Sequence, residues 1–99
     1  MRTALQFLPK PKAKIKEGLY KHYKGNLYFV LYTGKSSDSL EDMVVYQATY
    51  KSREYGDYAI WTRKLSEFME DVIIEDKKIQ RFVKLSDKET INFTNALLK

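Results

Sequence analysis

The stretch GLYKHYKGNLYFVL, residues 18–31, places two apolar runs on either side of a Lys24-Gly25-Asn26 break and holds the chain's only histidine, His22. Gly and Asn tolerate positive φ, so the pattern predicts a β-hairpin, and the loop length decides which side chains share a face. A three-residue loop over 24–26 puts Leu19, Tyr23, Leu27, Phe29 and Leu31 on one face and Tyr20, His22, Tyr28, Val30 and Tyr32 on the other. A two-residue Gly25-Asn26 loop instead sets His22 beside Phe29 and Leu31. The three-residue loop is favoured, because it gathers the aliphatic side chains into a core face and leaves the polar-tipped aromatics with His22.

Upstream, PKPKAKIKE (9–17) combines two prolines with lysines at every second position. It predicts an extended arm that donates poorly to a sheet before about Ala13. Residues 1–8 are apolar enough to dock, as an edge strand of this chain or of a neighbour. Downstream, TGKSSDSLEDM (33–43) is a polar loop whose Ser and Asp side chains bond their own backbone. MVVYQATY (43–50) and YAIWTR (58–63) read as strands separated by the loop KSREYGD. The spacing of Leu65, Phe68, Met69 and Val72 predicts a short helix from Lys64 to about Asp71. VIIEDKKIQRFVKL reads as a second hairpin turning around Asp76-Lys77, and SDKE (86–89) is a capping box opening a C-terminal helix.

This order predicts a mainly β fold: a small, strongly bent barrel with one short inserted helix and a C-terminal helix. The division is a basic arm over 1–17, a barrel domain over 18–85 and a helix over 86–99. Ninety-nine residues make one domain, and 43% hydrophobic residues suffice for a core.

The absence of cysteine removes disulfides, thiolate metal sites and cysteine nucleophiles together, and suits a cytoplasmic protein. No run approaches the ~18 apolar residues of a membrane span, and the N-terminus is too short in apolar residues for a signal peptide. The net charge of +5 is uneven: residues 1–35 hold eight Lys/Arg against Glu17 alone, a local +7, and the remainder carries −2. An anionic partner fits that asymmetry.

Gly18-x-Tyr20-x-His22-Tyr23-Lys24-Gly25-Asn26-x-Tyr28, then Leu40-Glu41, Val44-Val45-Tyr46, Trp61-x-Arg63, Phe68, Val72 and Arg81-Phe82 run colinearly along the chain. This set resembles a bacterial and phage family known as domain of unknown function 1653, over about residues 18–85. The resemblance implies an SH3-like β-barrel of no established activity. Where the family reads His-Ser-Glu-Thr this chain has Ser36-Ser37-Asp38-Ser39, and where Arg-Pro is usual it has Arg63-Lys64. A role needing two histidines therefore has no second histidine here.

Residue types weigh against catalysis. His22 with a serine and an aspartate of the 36–42 loop formally composes a triad, but no nucleophile elbow frames it. One histidine with scattered carboxylates lacks zinc spacing, and glycines at 18, 25, 34 and 56 build no phosphate loop, so neither metal nor cofactor is implied. Binding uses more of the chain. Tyr20, His22, Tyr28, Tyr46 and Trp61 offer stacking and hydrogen bonding, Lys24, Arg63 and Arg81 offer phosphate contacts, and Ser37 and Asp38 rim the site. The expectation is a non-enzymatic module for an anionic, base-containing ligand, a nucleotide or nucleic acid, with a nucleotide-sequestering role open and a homo-oligomer able to deepen the pocket. A protein-interaction module is the alternative, and an enzyme of uncharacterised type a lesser one.

Overall fold

The computed structural model describes residues 3–98. Among the described residues there are seven antiparallel strands: β1 (Gly18–His22), β2 (Leu27–Lys35), β3 (Asp42–Ala48), β4 (Ile60–Lys64), β5 (Asp71–Ile74), β6 (Lys77–Gln80) and β7 (Phe82–Lys84). A single-turn helix, α1 (Leu65–Phe68), follows β4, and α2 (Asp87–Leu97) ends the fold. The five-stranded sheet has the order β4-β3-β2-β1-β7, and β5-β6 form a separate ribbon. The larger sheet does not close by hydrogen bonding into a barrel: β4 and β7 are its two edges.

The β1–β2 hairpin pairs Tyr20 with Tyr28 and Leu19 with Phe29. Its loop is Tyr23-Lys24-Gly25, because the His22 N–H donates to the Asn26 carbonyl at 2.9 Å and the Gly25 N–H to the His22 carbonyl at 2.8 Å. Gly25 takes the positive φ, +108°. The predicted loop over 24–26 is therefore displaced by one residue at each end. Partner registers slip by two, which preserves the pleat: Tyr20, His22, Tyr28 and Val30 still share a face. Tyr32 does not join them. Between Val30 and Tyr32 a β-bulge intervenes, so that Tyr32 lies opposite Val45 and is 60% exposed.

The core lies on the aromatic face, not the aliphatic one. Tyr20, Val30, Val44, Tyr46, Phe68 and Phe82 are buried together, with Ile15, Tyr28, Trp61 and Leu65 packed around them. On the other face Leu19 is buried, but Phe29 is 43% exposed. Tyr46 on β3 and Phe82 on β7 are three strand spacings apart, about 14 Å in a flat sheet. Their ring centroids are 5.6 Å apart, so the sheet curls sharply over its aromatic face. Phe68, delivered by α1, fills the concavity; full burial of such a ring stabilises by roughly 1.5–3 kcal/mol.

The predicted helix over 64–71 contracts to the one turn of α1. Met69 is exposed, and Val72, Ile73 and Ile74, a β-branched run suited to a pleated strand, go to β5. The second hairpin turns at Glu75-Asp76, both at positive φ (50° and 65°), rather than at Asp76-Lys77. The segment read as one strand over 79–85 is broken at Arg81, whose N–H donates to the Glu70 carbonyl while its own carbonyl accepts from Tyr23. That break frees Phe82 to pair with His22 in β7.

The capping box forms as predicted: the Glu89 N–H donates to Ser86 Oγ and the Ser86 N–H to Glu89 Oε1. The helix it opens buries none of its residues. In the arm, Ala4–Phe7 is a turn of 3-10 helix rather than an edge strand, and Met1 and Arg2 lie outside the described residues. The Lys14 N–H reaches Thr33 Oγ1, and Ile15 packs against the core, so the arm's last residues follow β2 without joining its ladder.

Candidate functional site

At the end of the curled sheet where β1 turns into β2, a cleft of about 330 Å³ is lined by Lys24, Tyr28, Tyr46, Tyr50, Tyr55, Trp61 and Arg63. Five separate segments supply it. Lys24 comes from the β1–β2 loop, Tyr28 from the start of β2, Tyr46 from β3, and Trp61 and Arg63 from alternate positions of β4, hence from one face. Tyr50 and Tyr55 come from the loop joining β3 to β4. Backbone bonds from Tyr58 to Tyr50 and from Gly56 to Ser52 hold that loop, with Gly56 at φ +93°.

The walls are linked by polar tips. The Tyr28 and Tyr50 hydroxyls hydrogen-bond to each other, and burial, followed by the Tyr50 bond, pushes the Tyr28 phenol up to about 12. Tyr28 therefore stays protonated at neutral pH. Arg63 Nε donates to the Tyr46 hydroxyl at 3.2 Å, and the Arg63 guanidinium carbon sits 5.9 Å from the Phe82 ring centre. Tyr55 meets Trp61 edge to face at 5.1 Å. The neighbouring Glu54 carboxylate holds the Tyr55 phenol above its ordinary pKa.

His22 adjoins this cleft. Its ring packs edge to face on Tyr28 (6.3 Å) and Phe82 (4.9 Å) and lies 4.5 Å from Tyr23. His22 Nδ1 accepts the Lys24 backbone N–H at 3.2 Å, which leaves Nε2–H as the donor of the neutral ring. Burial, then the charges of Arg63, Lys24 and Arg81, holds its pKa below the ordinary imidazole value. A neutral histidine among three cations is an electropositive surrounding that an anion would relieve. Arg81 lies 3.8 Å from Glu70 through one terminal nitrogen, and its Nε is shielded without a hydrogen-bond partner among the described residues.

Of the ten residues expected at the site, Lys24, Tyr28, Tyr46, Trp61 and Arg63 line one cleft, and His22 and Arg81 stand beside it. Tyr20 is placed elsewhere: it is core, packed on Phe68 at 5.4 Å with its hydroxyl donating to the Lys16 carbonyl. Ser37 and Asp38 occupy the exposed β2–β3 turn, at the far end of the nine-residue β2 from Tyr28. Tyr50, Tyr55 and Phe82 were not among the expected residues. The signal for the two tyrosines was an aromatic density in a loop, ATYKSREYGDY, beyond what turn-making needs. Among the described residues, no group of three or more His, Asp or Glu side chains is placed to hold a metal ion, and no helix is long and apolar enough to cross a membrane.

Fold and cleft together define a small antiparallel β domain with an aromatic, cationic mouth at one end of its curled sheet. The chain belongs to the DUF1653 family, described as a protein of unknown function, which matches residues 18–84. It is similar to a crystal structure of a DUF1653 protein from Bordetella bronchiseptica at 29% sequence identity and a TM-score of 0.65, covering 74% of this chain and 90% of that one. The family match begins at β1 and ends with β7, so the arm and α2 lie outside it. No curated protein matches the chain.

Proposed function

We propose that this protein is a non-enzymatic binding module for a nucleotide, held in the cleft between the β1–β2 loop and β4. The observation that carries this reading is the lining itself, five aromatic rings interleaved with Lys24 and Arg63 around about 330 Å³. That volume falls at the lower end of small-molecule pockets, roughly 300–1,000 Å³, and suits one nucleotide unit rather than a duplex. Rings give a base a stacking surface worth about 1–3 kcal/mol, and the cations give its phosphate a counter-charge. A nucleotide-sequestering role follows from the same chemistry, since His22, Tyr28 and Tyr46 are occupied by packing and hydrogen bonds rather than arranged as a nucleophile with its base. In this reading the curled sheet is an SH3-like barrel left open between β4 and β7, and the cysteine-free chain works in the cytoplasm.

Isothermal calorimetry against the four ribonucleoside 5′-monophosphates tests it. Stoichiometric binding that His22→Ala and Arg63→Ala weaken, with both variants folded, is the expected result. Unchanged affinity in both variants moves the site elsewhere. A second reading, a protein-interaction module, is favoured by the exposure of Ile73, Ile74 and Ile79 on the β5-β6 ribbon. It predicts no calorimetric or thermal response to any nucleotide.

A further inference from the structure

Two cations of the cleft, Lys24 and Arg63, have no carboxylate partner within salt-bridge distance among the described residues. Both are nevertheless oriented. The Lys24 ammonium lies 5.9 Å from the Tyr23 ring centre, and Arg63 is tied at Nε to the Tyr46 hydroxyl. Using Nε for Tyr46 leaves the two terminal nitrogens of Arg63, the pair that forms a second fork, for a ligand. His22 contributes a third donor, because the Lys24 N–H fixes its tautomer with the proton on Nε2. The cleft is not uniformly positive, however. Glu54 stands against Tyr55, which itself packs on Trp61, and a carboxylate there disfavours an anion at that end.

Resting on the nucleotide reading above, we propose that the ligand carries a terminal phosphomonoester, seated on Arg63, Lys24 and the His22 Nε2–H, with its base directed toward Trp61 and Tyr55. Charge decides between phosphate types. Two unpaired cations are matched by a dianion, which a phosphomonoester is above about pH 6, whereas a cyclic or bridging phosphodiester supplies one charge. Geometry agrees, since three terminal oxygens can engage a guanidinium fork, an ammonium and an imidazole N–H together. Tyr46 enters as a positioning residue: buried in the core, it holds the guanidinium through its hydroxyl and leaves the fork to the phosphate.

Calorimetry at pH 7.5 with adenosine 5′-monophosphate, adenosine, 3′,5′-cyclic adenosine monophosphate and ribose 5-phosphate separates the terms, the other three bases being run in parallel. The expected result is a 5′-monophosphate at least tenfold tighter than its nucleoside and its cyclic form. Arg63→Lys, which keeps the charge and loses the fork, should lose tenfold or more. Tyr46→Phe should lose severalfold for the 5′-monophosphate and for ribose 5-phosphate alike, while near-ultraviolet circular dichroism stays native. Trp61→Ala should weaken the nucleotide and leave ribose 5-phosphate unchanged. A nucleoside or cyclic nucleotide binding as tightly as the monophosphate overturns the phosphomonoester and leaves the nucleotide reading standing. Ribose 5-phosphate binding as tightly as every nucleotide supports the phosphate seat and overturns the base. No binding by any of the four overturns both.

Discussion

Phe68 and Phe82 stack with their ring centroids 4.0 Å apart and their planes 6° from parallel. The one comes from the single turn of α1 and the other from the three-residue β7, neither long enough to be stable alone. Each ring also meets Tyr46 edge to face, at 5.5 and 5.6 Å, so this pair fastens the sheet's β7 edge to its middle. Phe68→Ala should cost about 3–5 kcal/mol, a large share of a small domain's stability. Urea unfolding checks this. A loss below about 1 kcal/mol would mean that the stack does not hold the concavity.

The β5-β6 turn offers the opposite sign. Glu75 and Asp76 both sit at positive φ, where side chains with a Cβ are strained and Asn-Gly is preferred. No residue of β6 is buried, so the turn chemistry acts with little interference from packing. Glu75→Asn with Asp76→Gly should raise stability by about 0.5–1 kcal/mol or protect the amides of residues 71–80 from exchange, and hydrogen exchange on those strands is the direct reading.

His22 and its neighbours show what the chain order reveals and what it hides. The sharing of one face by Tyr20, His22, Tyr28 and Val30 survives the shift of a three-residue loop by one position, because the register then slips by two, so the face His22 joins was legible. Which face becomes core was not. That depends on Phe82 arriving beside His22, a pairing across 60 positions, and on Phe68 stacking on Phe82. Aliphatic content pointed to Leu27, Phe29 and Leu31, whereas the covering elements sit over the aromatics. The Tyr32 side chain was lost to the bulge, which no residue type in FVLYTG announces. At the site, Trp61 and Arg63 were readable as an alternate pair on one strand, but Ser37 and Asp38 were assigned by loop polarity, and loop polarity carries no information about which end of a strand the loop occupies.

The capping box at Ser86 should matter locally more than globally. Ser86→Ala removes the acceptor for the Glu89 N–H and should cost about 0.5–2 kcal/mol of helix stability. Because α2 buries none of its residues, the loss should appear as faster amide exchange over residues 87–97 with a nearly unchanged global midpoint. A fall of the whole transition would show instead that the helix is coupled to the sheet.

The last prediction turns on pH. The folded state holds the His22 pKa below its ordinary 6.5, first through burial and then through Arg63, Lys24 and Arg81. The unfolded chain, free of those neighbours, takes up the proton first as pH falls. Between 6.5 and the lowered folded value it binds more protons than the folded state does, so stability falls as pH drops through that window and the contribution is complete above it. The rings facing His22 are Tyr23, Tyr28 and Phe82; Tyr28 titrates far above the window and Phe82 does not titrate. Carboxylates begin to protonate only below it. Urea midpoints at pH 7.5, 6.5 and 5.5 should therefore decline for the wild type, and His22→Gln, which keeps a side-chain acceptor near the Lys24 N–H, should flatten the decline. An equal slope in both proteins would mean that the imidazole is free to charge in the fold, and the electropositive cleft beside it would lose its clearest reporter.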